Sequence, residues 1–257
     1  MLAMISLHAA DIPNGYDLID ATWVMPTRTD PLDDYLFGTS HIVDTDAIKA
    51  FNIAQRLSGA AKVFGLCGLR GEQPVAVYDR VGLFSAPWVW WMLRSHGCKA
   101  VLVEGWGDTV PKSPKPTASF FGSCANPALM NATKEDVLAA LGTETQIIDA
   151  RPAARFAGDA EEPRPNCRAG HIPGSVNIPF PTLKSGRSFH DQETLWDLFD
   201  EQEIDLNSPI ITTCGSGVTA SGLAFALTRC GAKNVRVYQG SWAEWGPDDS
   251  LPIETGQ

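Results

Sequence analysis

The chain of 257 residues has no basic run, no C-x-x-C pair and no apolar stretch long enough to span a membrane. Each absence excludes a class of function. A net charge of −10 sets the surface against nucleic acid and anionic membranes as main partners. Without about 18 consecutive apolar residues, nothing is expected to cross a bilayer. The opening MLAMISLHAADIPNGYD lacks a cationic n-region and is interrupted by Asp11, so it reads as structure and not as a signal peptide. The expected compartment is cytoplasmic. The six cysteines (67, 98, 124, 167, 214 and 230) have spacings that suit neither a zinc site nor a disulfide framework. In a reducing compartment most should be small buried hydrophobes. Neither a metal nor a cofactor is expected.

What is present is an ordinary globular composition and a repeat. The length exceeds what one core usually supports, which favours two domains of roughly 100–150 residues. DLIDATW (17–23) answers QIIDARP (146–152), and SHIVDT (40–45) answers GHIPGS (170–175). PVAVYDRVGLFSAPWVWWMLRSHGCKAVLVEGW (74–106) answers PIITTCGSGVTASGLAFALTRCGAKNVRVYQGSW (209–242). In this register Asp79 aligns with Cys214 and Gly82 with Gly217, and a one-residue gap brings Gly97 to Gly231. A repeat of this length means duplicated domains, since each copy can hold its own core.

Each copy reads as strand, loop, helix, strand. PIITT is a β-rich run, residues 218–230 carry a helical pattern ended by Cys230-Gly231, and NVRVY is the next strand. Such alternation implies parallel βαβ units and therefore an α/β fold, each copy a parallel sheet flanked by helices. The aperiodic stretch rich in Pro, Ser and Lys after Gly105 marks the connection between copies. The expected boundaries are 1–107 for the first domain, 108–130 for the linker and 131–257 for the second. A second Pro-rich stretch, GDAEEPRPNCRAGHIPG (158–174), lies inside the second copy, where a long loop is more often functional than not.

Cys214 follows a strand end and precedes Gly215, Ser216 and Gly217 at a helix start. A loop of this kind can turn successive backbone N–H groups inward, and the helix N-terminus adds positive potential there. A thiol in that nest is favoured as thiolate and thus as nucleophile. The competing reading is a small buried residue in a tight turn. A phosphatase loop, which also cradles an anion beside a cysteine, would need an arginine six residues on. Position 220 is Ala.

CGSGVTA, together with IIDARPAARF, EPRP, GHIPGSVNIPF and GSWAEWG, resembles the two-domain rhodanese family, in particular its 3-mercaptopyruvate branch. VYDRVGLFSAPWVWWMLRSHG in the first copy resembles the same family, and the match covers most of residues 15–250. The resemblance implies two tandem rhodanese-like domains, the second catalytic and the first without nucleophile, with Asp79 in its place. It implies that Cys214 takes sulfur from 3-mercaptopyruvate, releasing pyruvate and leaving a persulfide. A thiol such as thioredoxin, or cyanide, would then accept the outer sulfur. Backbone groups of Gly215, Ser216, Gly217, Val218 and Thr219 would hold the charge on sulfur. Arg155 and Arg164 would bind the donor, against the alternative of surface pairing with Asp159, Glu161 or Glu162. Ser216 would act with His41 and with an aspartate, Asp30 ahead of Asp33 and Asp34.

Further expectations concern residues outside that set. His171 is read as structural, and Trp88, Trp90 and Trp91 as core or domain-interface packing. Cys167, in the same segment as Arg164, is a candidate redox partner for Cys214. The thiosulfate-preferring branch carries Arg and Lys directly after its cysteine, where this chain has Gly215 and Ser216. A loop without those cations suits a singly charged donor. Thiosulfate transfer, a persulfide carrier serving a partner protein and an idle interaction module remain as alternatives.

Overall fold

The structure is a computed structural model describing residues 6–8, 11–12, 15–22, 41–42, 74–105 and 130–256. The chain divides into two compact units, Met1–Pro127 and Ala128–Gln257. The linker expected at 108–130 falls almost wholly outside the described residues, as do Cys67 and Cys124.

In the first unit, β1 (Ser6–His8), β2 (Asp17–Asp20), β3 (His41–Ile42), β4 (Val75–Tyr78) and β5 (Ala100–Glu104) form one sheet in the order β1-β5-β4-β2-β3. Every pairing is parallel. β4 and β5 are buried along their whole length, as VAVY and AVLVE require of strands covered on both faces. The helix α1 (Ala86–Ser95) joins them, with Pro87 in its first turn, where a missing N–H costs nothing. Trp88, Trp90 and Trp91 are buried in this unit's interior, and the Trp90 indole donates to the Ala100 carbonyl at 3.0 Å.

The second unit repeats the plan with additions. It contains β6 (Asn131–Ala132), α2 (Lys134–Ala140), β7 (Gln146–Asp149), α3 (Ala153–Ala157) and β8 (Val176–Asn177). A small hairpin of β9 (Lys184–Ser185) and β10 (Ser188–Phe189) leads to α4 (Gln192–Glu201), then β11 (Ile210–Thr213), α5 (Val218–Arg229), β12 (Val235–Tyr238) and α6 (Ser241–Trp245). Its main sheet runs β6-β12-β11-β7-β8, the same order as the first when strands are matched in sequence. Again every pairing is parallel. In sheets of this kind ligands gather beyond the carboxyl ends of the strands. Cys214 stands at that end of central strand β11, and Asp79 at the same end of β4.

One part of the expected repeat is out of register. The sheets pair Asp20 with Ile42 and Asp149 with Asn177, so His41 stands level with Val176 and not with His171. His171 instead sits before β8, exchanging backbone hydrogen bonds with Glu254 and stacked on Phe156 with ring centroids 3.8 Å apart. Its Nδ1 lies 2.9 Å from the Phe156 carbonyl, a packing role.

Helix α5 is nearly all small or apolar because it is buried almost all round. Gly222 lets the Phe180 ring lie directly on its backbone, where a Cβ would collide with it. The helix ends with Cys230, and Gly231 follows at φ +98°, a conformation that glycine adopts freely.

Candidate active site

The loop between β11 and α5 is shaped by what holds its carbonyls. The first N–H groups of α6 take them: Trp242 donates to the Cys214 carbonyl at 2.9 Å and Ala243 to the Gly215 carbonyl at 3.1 Å. With carbonyls bound on one side, the following amides turn to the other. The N–H groups of Ser216 and Gly217 point at Cys214 Sγ, 3.4 and 3.1 Å away. The Cys214 N–H donates to Ser241 Oγ at 3.1 Å, and that hydroxyl donates to the Tyr238 carbonyl at 2.8 Å. Ser241 holds this place at φ +51°, a costly backbone for a non-glycine residue.

Gly217 is required twice over. Its φ is +87°, and a Cβ there would lie 2.8 Å from Gln239 Oε1 and 3.0 Å from the Gln239 carbonyl oxygen. It is also the N-cap of α5, so the sulfur sits at a helix start, where the first-turn N–H groups lack intrahelical acceptors. Cys214 is 2% exposed, which keeps bulk water from competing with those donors.

Two guanidinium groups converge on the same loop. A Cβ on Gly215 would lie 3.3 Å from Arg155 Nη2 and 3.5 Å from Arg164 Nη1. Arg164 Nη1 also donates to the Gly215 carbonyl at 3.3 Å. Arg155 comes from the short helix α3 and Arg164 from the Pro-rich loop after it, so the fold brings both to Cys214's neighbour. Arg155 is paired with Glu162 as well: Nε donates to Oε1 at 3.1 Å and Nη2 to Oε2. The pairing weighed as a surface alternative thus exists, but beside the cysteine loop.

Behind this layer lies a buried network not foreseen from the sequence. Arg151, 1% exposed, donates to Asp149 through Nε at 2.8 Å, to Glu162 through Nη1 at 2.9 Å and to the Gly170 carbonyl through Nη2 at 2.8 Å. Its guanidinium carbon lies 4.3 Å from the centroid of the Trp242 ring. The alternation of acid and base in IIDARPAARF and EEPRP was the available signal.

Other expected residues are elsewhere or not described. His41 belongs to β3, while Asp30, Asp33 and Asp34 lie outside the described residues. Cys167 is half-buried, its Sγ 3.8 Å from the Trp242 carbonyl oxygen. Burial, then the Glu162 carboxylate, pushes its thiol pKa up. Burial pushes the Cys98 and Cys230 thiols up to about 12. Among the described residues no cluster of His, Cys, Asp or Glu could hold a metal ion, and no helix is long and apolar enough to cross a membrane.

The equivalent loop in the first unit is already filled. The Asp79 carboxylate, 3% exposed, accepts N–H bonds from Val81 (3.0 Å), Leu83 (2.8 Å), Ser85 (2.8 Å) and Ala86 (2.7 Å). Burial pushes its pKa up, and these four donors pull it back.

Comparison with known proteins agrees with this geometry. Residues 133–248 match the rhodanese-like domain. The chain is 37% identical over 199 residues to an Escherichia coli 3-mercaptopyruvate sulfurtransferase, covering 73% of this chain and 70% of that protein. It is 35% identical over 262 residues to the Homo sapiens 3-mercaptopyruvate sulfurtransferase, covering 93% and 88%. The fold superposes on the crystal structure of Tum1 from Saccharomyces cerevisiae with a TM-score of 0.84 at 24% identity, over 99% of both chains. Sequence relationship and duplicated parallel sheets lead to one assignment: the chain belongs to the two-domain rhodanese family and is a sulfurtransferase.

Proposed function

We propose that the protein moves sulfur from 3-mercaptopyruvate, through a persulfide on Cys214, to a thiol such as thioredoxin or to cyanide. The observation that carries this reading is the pair of N–H groups aimed at Cys214 Sγ, with Arg155 and Arg164 beside Gly215. The Cys214 thiolate attacks the donor sulfur. The carbon–sulfur bond breaks, and its electron pair leaves on carbon as the enolate of pyruvate, which takes a proton. The new sulfur–sulfur bond leaves Cys214 as a persulfide, whose negative charge the amides of Ser216 and Gly217 and the start of α5 stabilise. The acceptor attacks the outer sulfur and regenerates the thiolate. Arg155 and Arg164 take the donor carboxylate, which a planar fork of N–H groups suits.

In this reading residues 131–257 are catalytic, 1–107 form the copy without nucleophile and 108–130 connect them. Ser216, His41 and Asp30 are proposed to assist proton movement. The cytoplasmic location is proposed from the cysteine spacing, which suits no disulfide framework. The missing cations at Gly215 and Ser216 favour mercaptopyruvate over thiosulfate as donor. The deciding experiment is steady-state turnover with each donor, using cyanide and thioredoxin as acceptors. Faster kcat/KM with mercaptopyruvate supports the reading. Faster turnover with thiosulfate selects the thiosulfate alternative, and a persulfide without turnover selects the carrier.

A further inference from the structure

Glu162 is a buried carboxylate held entirely by cations. Its side chain is 1% exposed, its Oε1 accepts from Arg151 Nη1 at 2.9 Å and from Arg155 Nε at 3.1 Å, and its Oε2 pairs with Arg155 Nη2. Arg151 cannot move to accommodate a change, because Asp149, the Gly170 carbonyl and the Trp242 ring fix it on its other sides. The carboxylate is therefore a rigid anchor for the Nε–Nη2 edge of Arg155. It fixes the direction in which the remaining edge of that guanidinium faces. Arg155, 21% exposed, is the partner that reaches toward Gly215.

The same carboxylate sets a charge balance. Asp149 and Glu162 together offset Arg151 and Arg155, so Arg164 is left as the excess positive charge of this group beside the Cys214 loop. One unit of excess matches a monoanionic donor. A dianion would meet the Glu162 charge behind Arg155 without a second cation to offset it.

We propose that Glu162 is the positioning and specificity-determining residue of the donor site: it aims Arg155 and restricts the site to donors carrying a single negative charge, such as an α-keto carboxylate bearing a thiol. This rests on the reading that the donor docks at Arg155 and Arg164. Glu162 touches neither sulfur nor donor. It aims Arg155 by direct pairing, and its charge acts on the donor through space.

The test compares Glu162→Gln and Glu162→Asp with the parent chain, using mercaptopyruvate and thiosulfate as donors and cyanide as acceptor. Removing the charge should raise the thiosulfate-to-mercaptopyruvate ratio of kcat/KM roughly tenfold. Glu162→Asp, which keeps the charge but retracts it, should weaken both donors while leaving that ratio near its parent value. A merely structural role would lower both donors together in both variants. If Glu162→Gln does not fold, the comparison is made between Arg155→Gln and Arg155→Gln/Glu162→Gln, where Arg155 no longer needs a counter-ion. Removing the carboxylate should again shift the ratio toward thiosulfate. An unmoved ratio in whichever background folds overturns the proposal. The donor-site reading fails separately, if Arg155→Gln and Arg164→Gln leave the kinetics of both donors unchanged.

Discussion

The backbone N–H of Gly217 points at the sulfur of Cys214 from 3.1 Å, in a loop whose shape the glycine itself permits. Replacing the sulfur should therefore remove the chemistry and spare the fold. Cys214→Ser is expected to abolish turnover while the circular dichroism spectrum and melting temperature stay close to the parent. Residual sulfur transfer by that variant would refute the nucleophile assignment.

Gly217→Ala tests the loop without touching the sulfur. The added methyl would meet the Gln239 side chain and carbonyl at 2.8 and 3.0 Å, on a backbone at φ +87°. The left-handed conformation alone costs about 1–2 kcal/mol. We expect a lower melting temperature and a fall in persulfide formation larger than the loss of folded protein explains. A variant that melts and reacts like the parent would show that the amide is not needed on sulfur.

Truncating either guanidinium should weaken donor use. Arg155→Ala and Arg164→Ala are each expected to lower kcat/KM for mercaptopyruvate by roughly 10- to 150-fold, the loss of a charge-assisted hydrogen bond of ~1.5–3 kcal/mol. Arg155→Ala should also lower stability, because it removes one of the two cations that hold buried Glu162. Arg164→Ala, from an exposed loop, should not. Equal melting temperatures with normal kinetics would return both residues to the surface.

Sulfur should load at one place. Mercaptopyruvate without acceptor is expected to add one labile sulfur per chain, mapped by peptide mass spectrometry to Cys214 and removed by cyanide. With pKa values of about 12, Cys98 and Cys230 hold almost no thiolate at neutral pH and should stay unmodified in the native protein. Two labile sulfurs, or one on Cys67 or Cys167, would relocate the chemistry.

Asp79→Asn keeps the shape of a side chain but turns one acceptor into a donor. Two of the four N–H groups that Asp79 binds would then face an NH2 group, at a cost of about 1–3 kcal/mol. The first unit should melt earlier. No change in melting would mean that the loop does not depend on the carboxylate.

Much of the fold was legible because its signals are local. The β-rich run PIITT holds strand β11, Ile210–Thr213, and the helix expected from 218 is α5, Val218–Arg229. Cys214 stood out because only a strand end, small residues and a helix start surround it. The convergence of Arg155 and Arg164 was not legible from the residues themselves, since their spacing says nothing of a loop folding back onto Gly215. The resemblance alone suggested it. Glu162 was read only as a surface partner, because burial by Arg151 stacked on Trp242 is a tertiary fact. The equivalence of His41 with His171 followed a short shared HI dipeptide, and sheet pairing overrides so short a match.

Asp79 is covalently tethered to the loop it fills, so its local concentration there never varies. Order that depends on a free ligand rises and falls with the supply of that ligand. Order supplied by the chain itself does not. Duplication has thus left one half of the molecule with a loop that is saturated from the moment it folds. The other half keeps its cradle around the Cys214 sulfur, which in the proposed reaction is loaded and emptied.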